Sequence, residues 1–233
     1  YYYNKEKEWG SEVVVSYKWH DLPPGSGLLD LELGREPELT HYDWITDTTV
    51  HDGSAWAYMK DSEYKSTTDL VHYLIDNVSK NGYMLLNIGP KPDGTIPDED
   101  KSLLEGIGKW LEVSGEAIFD TETWDKYGEG PTEMTESGPF SDNRAKLKYT
   151  AQDFRFTTKG NSLYATALGW PSKDFTIESI DKLFDNEVES VELLGSNEKV
   201  EWKHTKDGLH ISRPDHKPCD HAVSFKINRK ENL

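Results

Sequence analysis

Cysteine is nearly absent from these 233 residues: Cys219 stands alone, so no internal disulfide is available. Long apolar runs are absent too, and none approaches the roughly 20 residues of a membrane-spanning helix. No charged-then-apolar leader pattern opens the sequence. Positive charge is scarce. Lys and Arg number 26 against 43 Asp and Glu, a formal net charge of −17. So acidic a surface repels phosphate backbones and anionic bilayers, and neither nucleic acid nor a membrane is expected as a partner. Metal and phosphate signatures are missing as well. The eight His are scattered, no HExxH or CxxC pair occurs, and Gly106 and Gly108 fall inside a helical pattern rather than a phosphate loop. There is no GxSxG elbow. No metal and no cofactor is expected.

Aromatic residues, by contrast, make up 12% of the chain, with eight Trp, whereas a disordered chain this charged would be aromatic-poor. The chain therefore reads as globular. Its rings suit the C–H faces of sugars and plain core packing equally well.

The opening Tyr1-Tyr2-Tyr3-Asn4 runs within ten residues into Glu12-Val13-Val14-Val15-Ser16-Tyr17, a β-branched run that reads as a buried strand. A buried strand needs neighbours on both sides, so a separate or missing N-terminal portion is expected. Residues 28–33 and Trp44–Val50 are further β-prone stretches. Ser66-Thr67-Thr68-Asp69 is a capping-box pattern, and Leu70, Val71, Leu74, Ile75 and Val78 follow at helical spacing up to Asn81-Gly82, the expected left-handed stop. Tyr83–Ile88 reads as a buried strand. Pro97-Asp98-Glu99-Asp100 opens a second helix with Leu103, Leu104, Ile107, Trp110 and Leu111 on one face, ending at Gly115. Strand and helix in alternation imply a βα-type unit with a parallel sheet.

Near residue 120 the pattern changes. Tyr127–Asn143 reads as a linker. About seven short β-prone runs follow, with hairpin signals at Lys159-Gly160-Asn161 and Asp207-Gly208, which suggests a β-sandwich. Asn77-Val78-Ser79 matches a glycosylation sequon but falls on a predicted helix.

Loops after parallel strands are where such folds place their chemistry. The carboxylates near strand ends are Asp30, Glu32, Asp43 and Asp47. Glycoside cleavage uses two carboxyl groups, one of them a proton donor with a raised pKa. Glu32, between Leu31 and Leu33, has the apolar context to be desolvated; the competing reading is a solvated charge on an alternating strand. Asp47 lies among Thr residues and is expected to accept local hydrogen bonds. Lys18, after the first strand, reads on its own as a snorkelling surface lysine.

Several segments carry a family resemblance. NGYMLLNIGPKPDG (81–94), Ile107-Gly108-Lys109-Trp110-Leu111 and Gly115-Glu116-Ala117-Ile118 resemble the alpha-L-fucosidases of glycoside hydrolase family 29. So do LDLELGR (29–35), WITDTTVHDGSAWAY (44–58) and YTAQDFRFTTKGNSLYATALGWP (149–171). The resemblance implies a retaining hydrolase of terminal alpha-L-fucosyl groups, with fucosylated oligosaccharides or glycoconjugates as partners. It implies that residues 1–119 are the C-terminal portion of a (β/α)8-like barrel and 120–233 a linker and β-sandwich. Glu32 matches the carboxylate of the segment that supplies the acid/base, with Asp43 as the fallback. Trp56 falls where relatives set an aromatic ring against the sugar. Lys18 stands where many relatives carry a sugar-contacting Arg, with the charge kept and the planar fork lost. The nucleophilic Asp of the family lies upstream of the segment matching Tyr1–Asn4, so it is expected from outside this chain. A non-catalytic carbohydrate-binding or structural role is the alternative. An exported location is favoured, as for many sugar-harvesting enzymes.

Overall fold

A computed structural model describes residues 1–19, 21–53, 55–144, 147–182 and 187–230. Four parallel strands form the first sheet, in the order β1 (Ser16–Lys18), β2 (Leu28–Asp30), β3 (Trp44–Thr49) and β4 (Gly82–Asn87). Helix α1 (Tyr2–Trp9) precedes them, α2 (Thr67–Ser79) connects β3 to β4, and α3 (Asp98–Ser114) follows β4. α1 went unanticipated because it carries no apolar face to detect, and none of its residues is buried.

The buried strand expected over Glu12–Tyr17 is corrected. β1 is only three residues long and pairs with β2 alone among the described residues, and Val14 is 63% exposed.

The capping box forms as read: Ser66 Oγ accepts from the Asp69 amide at 3.1 Å, and Asp69 Oδ2 accepts from the Ser66 amide at 3.2 Å. Beyond it Leu70, Val71 and Ile75 are buried against Val50, Ile107 and Trp110. The left-handed turn after α2 falls on Asn81, at φ 71, and not on Gly82. Gly82 is needed for another reason: a Cβ there would lie 2.4 Å from the Trp44 indole, which is fully buried. Gly115 likewise stays right-handed, at φ −61, and leads into a single 3-10 turn. Asn77 of the sequon is fully buried, so this site is closed to glycosylation in the fold.

The remaining strands are antiparallel. One sheet has the order β5 (Glu122–Glu129), β6 (Phe154–Lys159), β7 (Ser162–Ala167), β12 (Val223–Arg229), β9 (Val188–Leu193). The other has the order β10 (Trp202–Thr205), β11 (Gly208–Ile211), β8 (Phe175–Ile177). Phe156, Leu163, Val191 and Phe225 of the first sheet share one core with Ile177, Leu209 and Ile211 of the second. β5 claims Tyr127–Glu129 from the stretch read as linker, because its polar sequence hides a strand paired with β6.

The seam between the parallel and antiparallel regions is both apolar and ionic. Leu168 and Ala222 join the core of the α2–α3 layer, and Trp110 Nε1 donates to the Ala222 carbonyl at 3.0 Å. At its centre sits Asp76 of α2, fully buried. Its carboxylate takes Arg155 Nε of β6 at 2.6 Å and Lys80 Nζ at 3.0 Å, with Arg35 Nη1 at 3.8 Å. Burial alone would raise the Asp76 pKa, but Lys80, Arg155 and Arg35 outweigh it and hold the carboxyl well below its ordinary value.

Removing one partner of such a cluster strands the others in a dry site. Asp76→Asn is expected to cost about 3–5 kcal/mol at neutral pH, read by equilibrium denaturation of the intact protein. Because the folded pKa is depressed, this stability is present above the unfolded pKa, near 4, and is lost as pH falls below it. The gap between wild type and variant should therefore narrow in acid; a gap that does not change with pH would remove the charge from the explanation.

Candidate active site

The parallel register places charged residues side by side at the C-terminal edge of the first sheet. Lys18, the last residue of β1, is in register with Asp30, the last residue of β2. Past Asp30 the chain keeps its pairing to β3: the Leu31 amide donates to the Ile45 carbonyl at 2.8 Å and the Leu33 amide to the Asp47 carbonyl at 2.9 Å. Glu32 is carried between these two bonds. Leu31 and Leu33 turn inward, at 5% and 0% exposure, which leaves the Glu32 side chain partly open.

Lys18 is the hub. Its Nζ donates to Glu32 Oε2 at 2.7 Å and to Asp47 Oδ2 at 3.1 Å, and lies 3.8 Å from Asp30 Oδ2. Burial would lower the Lys18 pKa, yet Glu32, Asp47 and Asp30 together raise it above the ordinary lysine value, so the ammonium is firmly charged. The reading of Lys18 as a surface snorkel is corrected by these contacts. Asp30 behaves differently. Burial pushes its carboxyl up to about 6, with Asp47 adding to the effect and Lys18 opposing it. A protonated Asp30 can donate to Asp47, whose own backbone amide donates to Asp30 Oδ1 at 3.3 Å. Asp47, expected to accept local hydrogen bonds, instead joins a shared cluster of three carboxyls and one ammonium.

Two residues with left-handed backbone flank this cluster: Trp19 at φ 54 and Leu33 at φ 48. Neither is glycine, and such conformations persist only where surrounding contacts impose them. At Leu33 those contacts are visible, since its amide and carbonyl are both taken, by Asp47 and by Asp142.

Trp56 is half-buried on the loop after β3. Asn87 Nδ2, at the end of β4, donates to its carbonyl at 2.9 Å, and Thr49 Oγ1, at the end of β3, donates to the Ala55 carbonyl at 2.9 Å. The loop is thus tied to the same edge of the sheet as Glu32 and Lys18. Asp43 is not. It precedes β3, four residues from Asp47 and roughly 13 Å along the strand, at the opposite edge. There it is exposed beside an apolar hollow lined by Tyr17, Trp19, Leu22, Leu29 and Tyr42. The fallback carboxylate does not join Glu32.

Asp30 and Asp47 are strand-end carboxylates whose place in one site with Glu32 is not visible in the sequence. The available signal was position: Ser-Tyr-Lys and Leu-Leu-Asp both end on a charge. Only the register shows that the two charges meet. Among the described residues no group of three His, Cys, Asp or Glu is arranged to hold a metal ion, and no helix is long and apolar enough to cross a membrane.

A parallel α/β sheet thus carries an acidic cluster toward the C-terminal ends of its strands and is followed by antiparallel sheets. The comparisons with known proteins are specific. The alpha-L-fucosidase family model matches residues 1–116 and the alpha-L-fucosidase C-terminal domain model matches residues 147–228. The chain belongs to the alpha-L-fucosidase family. It is 27% identical over 221 residues to tissue alpha-L-fucosidase of Homo sapiens, covering 92% of this chain and 43% of that protein. A solved alpha-L-fucosidase superposes with a TM-score of 0.76 at 27% identity, over 98% of this chain and 47% of its own. The Thermotoga maritima alpha-fucosidase solved in complex with fucose gives a TM-score of 0.68 at 27% identity, over 96% of this chain and 46% of its own. The chain thus spans less than half the length of these relatives.

The Asp30 carboxyl is expected to titrate near pH 6 when followed by carboxyl carbon NMR. Lys18→Met should move that midpoint upward, because the ammonium favours the ionised form. A midpoint at the ordinary value near 4 in the wild type would exclude the buried carboxyl pair.

Proposed function

We propose that this chain supplies the acid/base half of a retaining alpha-L-fucosidase that hydrolyses terminal alpha-L-fucosyl linkages. The observation that carries the reading is Glu32, held by Lys18 at the C-terminal edge of the parallel sheet. In this reading the sheet is part of a (β/α)8-like barrel, and an Asp from outside these 233 residues faces Glu32 across the glycosidic bond, about 5–5.5 Å away as retention requires.

The chemistry follows in two steps. The Asp carboxylate attacks the anomeric carbon while the C–O bond to the leaving group breaks, its electron pair going to that oxygen and the Glu32 proton following it. A covalent fucosyl-enzyme results, and Glu32 is left as a carboxylate. Glu32 then takes a proton from water as the water oxygen attacks the anomeric carbon, releasing fucose and restoring both carboxyls. Lys18 serves by stabilising the Glu32 carboxylate that each proton delivery leaves behind. Trp56 offers a ring to an apolar edge of the sugar from the adjacent loop. The likeness to a fucosidase solved with fucose and the family match support this reading.

In the intact enzyme Glu32→Gln should cut kcat/KM on substrates with poor leaving groups by about 100-fold or more, and kcat/KM on those with good leaving groups far less, since bond cleavage there needs little protonation. Equal losses on both would remove Glu32 from the acid role. Trp56→Ala should raise KM several-fold with an unchanged melting midpoint; an unaltered KM and kcat would exclude its contact with the sugar.

A further inference from the structure

The segment that follows β5 returns to the active-site edge, far from it in sequence. The Phe140 amide donates to the Glu32 carbonyl at 2.7 Å and the Asp142 amide to the Leu33 carbonyl at 3.0 Å. The Gly138 amide donates to the Arg35 carbonyl at 2.8 Å. Ser141 Oγ accepts from the Arg35 amide at 3.2 Å, and Asp142 Oδ1 accepts from Arg35 Nε at 3.1 Å. Residues 138–142 thus pair with residues 32–35 backbone to backbone, over a gap of more than a hundred positions. The approach is close enough that a Cβ on Gly34 would lie 2.2 Å from the Gly138 carbonyl oxygen.

The other side of the same turn is held by α2. Tyr73 Oη donates to the Gly34 carbonyl at 2.8 Å, and its ring lies under the Arg35 guanidinium, 3.8 Å from centroid to Cζ. Burial would lower the Arg35 pKa, but Asp142 and Asp76 outweigh it and keep the guanidinium charged. With Leu33 fixed in a left-handed conformation, Glu32 has its own carbonyl and both backbone groups of its neighbour pinned.

We propose that residues 138–142 are a positioning clamp, and that Ser141 and Asp142 set the aim of the Glu32 carboxyl at the leaving oxygen. The proposal rests on the reading of Glu32 as the acid. In this proposal Ser141 and Asp142 act on Glu32 through Arg35 and the Leu33 backbone. An acid carried on a turn held on both faces keeps its geometry through the reaction, whereas a free turn would scatter the proton donor over many orientations. A displacement of about 1 Å in such a group is worth up to about a hundredfold in rate.

The test compares Ser141→Ala and Asp142→Asn with wild type in the intact enzyme, on fucosides with poor and with good leaving groups. Each variant should lower kcat/KM on poor leaving groups by about tenfold, with kcat/KM on good leaving groups changed by less than about twofold. Ser141→Thr, which keeps the hydroxyl, should restore the lost rate. Amide hydrogen exchange on the wild type should show the Phe140 and Asp142 amides protected. Equal losses on both substrate classes, or no loss on either, would overturn the clamp while a leaving-group-dependent Glu32→Gln left the acid role standing. A Glu32→Gln variant without leaving-group dependence would instead remove the acid role itself. Rapid exchange at Phe140 and Asp142 would overturn the clamp whatever Glu32 does, including where a variant fails to fold.

Discussion

One buried carboxylate, Asp76, carries the assembly. It lies on α2, yet its cations come from three places: Lys80 at the end of its own helix, Arg35 from the turn after Glu32, and Arg155 from β6 of the antiparallel sheet. A charge so dry is tolerable only when all its partners are present. The two regions therefore cannot separate without exposing an unpaired ion, and the acidic turn cannot shift without losing Arg35. Tyr127 and Tyr149 cover the same cluster, with Arg155 5.4 Å and 5.0 Å from their ring centroids. Apolar contacts supply the area of this seam, and the ions make its geometry specific.

The same economy of placement governs the sheet edge. Parallel register brings residues of three separate strands together, Lys18 and Asp30 at the ends of theirs and Asp47 two residues before the end of β3. Lys18 and Asp30 meet through register, Asp47 joins from the next strand, and Glu32 enters because the backbone continues its ladder beyond β2. One lysine faces three carboxyls, and the imbalance is relieved by Asp30 holding its proton to about pH 6. Because the folded state keeps that proton to higher pH than the unfolded chain does, ionising Asp30 weakens the fold between about pH 4 and 6, which is the cost of assembling the cluster.

Where local chemistry decided the outcome, the sequence could be read directly. The Ser66–Asp69 capping box, the acidic first turn of α3 and the hairpins at Gly160 and Gly208 all depend on residues adjacent in the chain. Where partners are distant, reading failed in characteristic ways. Val13–Val15 carry the side chains of a buried strand, but they precede β1, which pairs with β2 alone among the described residues. Tyr127–Glu129 carry the composition of a loop, but β6 gives them hydrogen-bonding partners. Glu32 was found through its apolar neighbours and the family motif around it. Its decisive contact, Lys18, lies 14 positions away and required the register. Asp43, the fallback that the family resemblance offers, precedes β3 and so lies toward the opposite edge of the sheet from Asp47.

The stretch at 138–142 belongs to neither matched module, since one ends at residue 116 and the other begins at residue 147. It nonetheless closes the hydrogen bonds of the turn that carries Glu32. Excising the α/β unit at its apparent border would leave that turn with an open outer edge. Grafting a foreign sheet domain onto it would do the same unless the intervening ribbon travelled with it. The hydrogen-bonded unit around Glu32 therefore extends past the border of either matched module.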